Sequence, residues 1–365
     1  MNGSSYDLAE REDGFQYDLH MKCDCGAVSS LTQSAYVEGE SRARMPCATC
    51  GEEIHYGPAV AAIRDEDDAA LGSSDLNSFA WYHTSTQPDW PSQKYAEQFA
   101  EDVRWTDRPF GPTRESFIAS QTSKALHVGT YEAAIENMLR RMDDQDDGAS
   151  QFYLYRVALR LDSNLLNPGF RDENHEVASD ISVHELDEGD LSAVRYLNVR
   201  EAVGTLSLAI RPRSVAAVQR IAIPLPDLSA DIDASAIAAA LEETKTVVLE
   251  RADSVARLGL NLREVNAMAL GLRSDRGGVA KKHKAIERRY YAQWRELEEA
   301  LADRCLPNVG ALVRRNFIDA IMQRRTDDVD AFVTQYRSYA ALLAHSDLVR
   351  ARLVTTPWRV VTSGA

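Results

Sequence analysis

The chain lacks a long apolar run. Across 365 residues no stretch approaches the ~18 apolar residues that a membrane span needs. It also lacks a surplus of positive charge: the formal net charge is −15, which argues against general nucleic-acid affinity by the chain as a whole. No apolar leader opens it, since Met1 to Gln16 is polar and acidic, and a reducing, cytoplasmic setting is the expectation. In such a compartment disulfides do not persist. No internal repeat is visible. Cysteine is scarce, with five in all, and the placement of four of them is therefore informative. What is present in ordinary measure is core material, 44% hydrophobic residues, enough for a globular protein.

Cys23-Asp-Cys25-Gly26 and Cys47-Ala-Thr-Cys50-Gly51 form two tight pairs about twenty residues apart, the spacing of a small zinc ribbon. Each pair sits on a knuckle where the chain turns back over a metal, and the glycine after it supplies the φ > 0 of such a turn. Loose alternation in the span Ala27 to Pro46 predicts a β-hairpin between the pairs. So short a span cannot bury a core of its own, so Cys23, Cys25, Cys47 and Cys50 are expected to hold a structural Zn2+. Four thiolates close the shell and leave no position for a reacting water. His20 and His55 flank the site but stay outside a shell already full. Cys305, alone in a helical stretch, reads as a small core residue.

Length alone predicts two or three domains. We read residues 1–65 as the ribbon, the acidic stretch Asp65 to Asp75 as a linker, 76–226 as a mixed central domain and 230–350 as a helical domain, an α+β chain overall. Strands are expected at Phe79–His83, Ala125–Val128, Phe152–Leu159, Ala193–Leu197, Thr205–Ile210 and Val218–Ile223, with a helix at Tyr131–Arg141. Asn164 to Asp190 reads as loop. Beyond Pro226, helical spacing dominates: Ile237–Leu258, Leu262–Leu272, Ala280–Arg304, Val309–Gln323 and Val329–Ala344.

Charge is unevenly spread. Residues 1–75 hold five basic side chains against fifteen acids, whereas Arg273 to Arg295 holds eight basic against two. In that basic stretch Lys281, Lys282, Lys284, Arg288 and Arg289 are interleaved with Tyr290, Tyr291 and Trp294. The pattern suits nucleic-acid contact, with phosphate neutralised and bases stacked. It suits equally a solvated helix whose aromatics face a bundle core, with Glu296, Glu298 and Glu299 pairing nearby.

The central segment carries the candidate chemistry. His83 lies in Trp-Tyr-His83-Thr84-Ser-Thr, His127 in Leu-His127-Val-Gly-Thr-Tyr131 ahead of a helix, and Glu201 in Asn-Val-Arg-Glu201-Ala-Val-Gly. This order resembles the ADP-ribosyltransferase fold over roughly residues 76–225, in particular bacterial and phage members with His, then an aromatic or His, then an acid on three strands. The resemblance implies a split β-sheet and transfer of ADP-ribose from NAD to a macromolecular acceptor, protein or nucleic acid, with release of nicotinamide. It implies that His83 and Thr84 bind the NAD ribose and carboxamide, that His127 holds the second slot with Tyr131 a turn later as its substitute, and that Glu201 is the catalytic acid. His127-Val-Gly-Thr also fits the first-strand motif, so either histidine can take that place. An aromatic wall for the nicotinamide would come from Tyr82, Tyr131 or Tyr155, and a pyrophosphate partner from Arg156 or Arg195. Two other functions fit. One is a ribbon adaptor without catalysis. The other is an NAD-dependent RNA 2′-phosphotransferase, which needs a phosphate-gripping cluster that Lys94, Arg104, Arg108, Arg114 and Lys124 form only loosely.

Overall fold

The computed structural model describes residues 6–11, 13–57, 60–72, 74–92, 94–103, 111–145, 147–173, 178–231, 234–258, 267 and 279–362. Helix and strand are both abundant, as an α+β chain requires. The chain forms two compact units: Met1–Ile223 with Val309–Asn316 and Asp347–Ala365, and Pro224–Asn308 with Phe317–Ser346.

In the first unit the cysteine knuckles are hairpin loops. Strand β1 (Leu19–Lys22) pairs antiparallel with β2 (Val28–Leu31) around Cys23 and Cys25, and β3 (Arg44–Pro46) pairs with β4 (Glu53–His55) around Cys47 and Cys50. The hairpin expected between the pairs is absent; helix α1 (Gln33–Gly39) stands there instead. Its start is fixed by Thr32, whose side chain accepts from the Ala35 N–H at 3.2 Å, a cap that outweighs weak alternation. The acidic stretch is no free linker either. Asp65 and Asp68 accept backbone N–H bonds from Asp67 and Ala70, Ala70 and Leu76 are buried, and Arg195 donates to the carbonyls of Ala70 and Leu71.

Two four-stranded sheets follow. One has the order β12-β11-β7-β5, from Arg359–Val360, Val215–Ile223, Phe152–Leu159 and Trp81–Ser85. The other has the order β6-β10-β9-β8, from Leu126–Val128, Leu206–Ile210, Ala193–Leu197 and Arg171–Asp172. The only parallel pair in either ladder, among the described residues, is β8 with β9. The sheets meet where Tyr82 and Gly129 exchange two backbone bonds of 2.9 and 3.0 Å, linking β5 to β6. Beyond that bridge no ladder continues among the described residues, and the carbonyl of His127 is taken by the imidazole of His83 at 2.8 Å.

Helices α2 (Tyr95–Asp102) and α3 (Arg114–Thr122) lie between β5 and β6. Helix α4 (Tyr131–Asp144) starts where Thr130 caps the Ala133 N–H at 3.2 Å, directly after the bridge. It is buried on nearly all sides: Tyr131, Ile135, Met138 and Leu139 join the core, and Glu132 and Glu136 are buried as well. Residues 164–190, expected as loop, also hold β8 and helix α5 (Val183–Glu188).

The second unit contains helices α6 (Ala238–Leu258), α7 (Val279–Cys305) and α9 (Val329–Ala344); α8 (Ala311–Ile321) and α10 (Ser346–Val354) lie in the sequence around α9. The expected helix Leu262–Leu272 falls outside the described residues, as do Arg273 and Arg276 of the basic stretch. On α7, Trp294 is fully buried and meets Phe332 edge-on at 4.8 Å, and Tyr290 is buried beside it, whereas Tyr291 is 55% exposed. Glu298 is buried and held by Arg325 Nε and Nη2 at 2.6 and 2.5 Å, and Arg295 pairs with Glu299 at 3.0 Å. Cys305 is a buried core residue. None of the described helices is long and apolar enough to cross a membrane.

Candidate functional site

The four cysteines can hold a metal ion. Their sulfurs all lie within 4.8 Å of one another, Cys23 to Cys50 at 3.6 Å and Cys25 to Cys47 at 3.8 Å. A tetrahedron with metal–sulfur bonds of about 2.3 Å has sulfur–sulfur edges of about 3.8 Å. A disulfide would need about 2.05 Å, and all four are free thiols. Gly26 and Gly51 have φ of +86° and +79°, and their N–H groups close the knuckles onto the carbonyls of Cys23 and Cys47 at 2.9 and 3.0 Å. The backbone N–H groups of Cys50 and Thr49 point at the Cys47 sulfur and bring its thiol down to about 6. Against the backbone N–H groups of Cys25 and Glu52, burial and the neighbouring sulfurs raise Cys23 and Cys50, so without metal the group carries its negative charge on Cys47 first.

The second site lies where the two sheets separate. A cavity of about 70 Å³ is lined by Tyr82, His83 and Thr84 of β5, by His127 to Gly129, by Asn137 of α4, and by Tyr196, Asn198, Glu201 and Ser207 from β9, β10 and the loop between them. Strand β5 supplies His83, β6 supplies His127, and the β9–β10 loop supplies Glu201, so residues more than a hundred positions apart converge.

Electrostatics makes both histidines neutral. His83 is pushed down to about 3, chiefly by burial and then by the Arg141 cation, and His127 down to about 4 by burial and Lys124. A carbonyl can only accept, so the 2.8 Å bond to His127 O puts the His83 proton on Nδ1 and leaves Nε2 as an acceptor. The His83 ring stacks on Trp90 at 4.1 Å, which fixes its plane. His127 Nδ1 bonds the Tyr196 hydroxyl at 3.1 Å, while His127 Nε2 is buried with no partner among the described residues. A buried nitrogen left open beside a cavity is a binding position, because an unmade bond there costs about 1–3 kcal/mol.

Glu201 accepts from Asn137 Nδ2 at 3.1 Å and from Arg140 Nε at 2.5 Å, both from α4. Its carboxylate is thus oriented by one helix, with the Arg140 guanidinium 32% exposed at the rim.

Other expected residues go elsewhere. Tyr131 is fully buried in the core and does not line the cavity. Arg156 is buried and donates to Glu10 Oε1 at 2.9 Å, Gln219 Oε1 at 3.1 Å and Leu8 O at 3.1 Å, which leaves it no free face for a phosphate. Arg195 is spent on the carbonyls of Ala70, Leu71 and Asn167. Tyr155 is buried with its hydroxyl on Gln87 O at 2.5 Å, and Tyr82, which does line the cavity, donates to Glu10 at 2.6 Å. Sequence reasoning passed over Asn137 and Arg140. Their signal was a polar stripe, Glu132, Glu136, Asn137 and Arg140, along a helix whose opposite side is apolar. No family model, no curated protein and no solved structure matches the chain.

Proposed function

We propose that the chain is an NAD-dependent ADP-ribosyltransferase whose Cys23, Cys25, Cys47 and Cys50 hold a structural zinc ion. The observation that carries the catalytic reading is the convergence of His83, His127 and Glu201 on one cavity at the junction of two sheets, with His127 Nε2 unpartnered. At about 70 Å³ the cavity is far below the 300–1,000 Å³ of a site for a whole drug-sized ligand, so it takes one end of a dinucleotide. We assign it to the nicotinamide and its ribose. His83 and His127, both neutral, offer hydrogen bonds without opposing the positive charge of the nicotinamide ring. As the glycosidic bond breaks, its electron pair leaves with nicotinamide and positive charge builds on the ribose. The Glu201 carboxylate stabilises that charge and accepts the proton of the incoming macromolecular nucleophile. Arg156 and Tyr131 take no part in this reading.

The zinc reading rests on the sulfur–sulfur distances and on a closed four-thiolate set, which holds the fold and offers no reactive position. The test of the enzyme is incubation of the full chain with labelled NAD and fractionated cell extract, alongside Glu201→Gln. Transfer should appear in one fraction and fall by about 10²-fold or more in the variant, with NAD binding retained. If the wild-type chain neither binds nor consumes NAD with any fraction, the catalytic reading fails, and an adaptor built on the tetrathiolate module replaces it.

A further inference from the structure

Glu201 sits in an eight-residue connection, Asn198 to Thr205, between β9 and β10, and that connection is held from outside itself. Ala202, the residue directly after Glu201, has φ +43°, a left-handed conformation that a side-chain-bearing residue adopts at a cost. Something must compensate. The Ala202 N–H donates to Glu136 Oε2 at 2.9 Å. The same carboxylate accepts the Tyr17 hydroxyl, at 3.0 Å on Oε2 and 3.2 Å on Oε1. The backbone N–H of Val203 faces the Tyr17 oxygen and eases the rise in its pKa that burial causes. The strained turn thus rests on one buried pair that takes the Ala202 N–H and faces that of Val203: Glu136 from α4, 5% exposed, and Tyr17 from the segment leading into β1, 7% exposed. Arg64 lies with its guanidinium over the Tyr17 ring at 4.1 Å and covers the pair.

Neither side chain lines the cavity; their polar groups face this turn and the Arg64 guanidinium. Along α4, Glu136 fixes the backbone of the turn while Asn137 and Arg140 fix the carboxylate itself. One helix thus sets both the position and the direction of Glu201.

We propose that Tyr17 and Glu136 are positioning residues that hold the Ala202–Val203 turn and so place the Glu201 carboxylate; the catalytic consequence rests on the reading of Glu201 as the acid. Tyr17→Phe removes one hydroxyl and keeps the ring under Arg64, and Glu136→Leu removes the acceptor of both the Tyr17 hydroxyl and the Ala202 N–H. Each should lower kcat for transfer from NAD by about 10- to 100-fold and leave KM for NAD within about twofold, because the turn lies outside the cavity.

Amide hydrogen exchange on the full-length chain reads the same device without catalysis. In both variants the Ala202 and Val203 amides should exchange at least about tenfold faster, while the amides of β10 keep their protection. Unchanged exchange at Ala202 and Val203 overturns the proposal whatever the kinetics show. If Glu201→Gln abolishes transfer but both positioning variants keep full kcat, the proposal is likewise overturned while the enzyme reading stands. If exchange accelerates as expected but Glu201→Gln keeps full activity, the turn is held as described and the choice of acid is what fails.

Discussion

Gly204→Ala tests how tightly the Glu201 connection is clamped. Gly204 has φ +89°, and a methyl group built there would lie 2.5 Å from Arg64 Cγ, 2.9 Å from the Ala62 carbonyl oxygen and 3.2 Å from the Arg64 nitrogen. The segment it would strike cannot retreat freely. Arg64 N–H donates to Gly204 O and Ala62 N–H to His20 O, both at 2.9 Å. Left-handed backbone costs an alanine about 1–2 kcal/mol, and forcing a methyl into packed backbone about 1–3 kcal/mol more. Roughly 3 kcal/mol of destabilisation is expected, or about 6–12 °C in the melting temperature of a unit this size. Gly169→Ala is the control: its φ is +62°, but nothing lies within 4 Å of the added carbon. That variant pays for the backbone alone, about 1–2 kcal/mol and at most about 8 °C. Urea and thermal melts of the three proteins side by side decide the matter. Equal losses at the two sites, or a loss below 1 kcal/mol at Gly204, would refute the close approach.

Metal analysis of protein purified without chelator should give about one zinc per chain, and Cys47→Ser should lower both zinc content and melting temperature; full stability in a metal-free sample would end the tetrathiolate reading. In the second unit, Arg325→Ala strands the fully buried Glu298 carboxylate and should cost about 3–5 kcal/mol, much of it recovered by adding Glu298→Gln. The pH dependence has two limbs. Burial, opposed by the Ala202 N–H, the Tyr17 hydroxyl and Arg64, pushes Glu136 from 4.5 up to about 8. Between those values the folded state holds a proton that the unfolded state has released, so stability falls as pH rises from about 4.5 to 8, by an upper limit of about 5 kcal/mol. His83 and His127, lowered to about 3 and 4, act oppositely and lose stability as pH falls below about 6.5. Melting curves from pH 4 to 9 should flatten on the alkaline side in Glu136→Gln and keep their acid limb; an unchanged alkaline limb would rule out Glu136 as its source.

Elements with one strong signal were legible in the sequence. Phe152–Leu159 and Ala193–Leu197 are runs rich in aromatic and branched residues, each broken by one arginine and nearly all buried, and their ends match the reading. Val329–Ala344 matches too, with Asp328 capping the Ala331 N–H at its start. What escaped had little apolar surface to announce it. Helix α3 buries none of its residues, so no period of 3.6 marks it. Helix α1 lies inside the cysteine module, where the knuckles themselves took up the strand pairing.

The candidate site divides along a different line. His83, Thr84, His127 and Glu201 converge on one cavity, and their signal was a polar side chain in or beside a strand-like run: the first three lie within β5 and β6, and Glu201 lies in the β9–β10 turn three residues before Gly204. The arginines expected to grip phosphate do not join them, and the cause is long-range. The segment around residues 8–17 reads as a polar, acidic leader, yet it is threaded through the first unit. Glu10 takes Arg156 and Tyr82, and Asp13 sits 3.9 Å from Arg64. Gly14 donates to Glu132, and Tyr17 holds Glu136. A buried guanidinium is stable only where a carboxylate or carbonyl meets it. Arg156 was therefore bound to find one inside the protein before it could serve a ligand. Burial of the strand on which it lies was visible in its apolar neighbours; the partner, 146 residues earlier in the chain, was not.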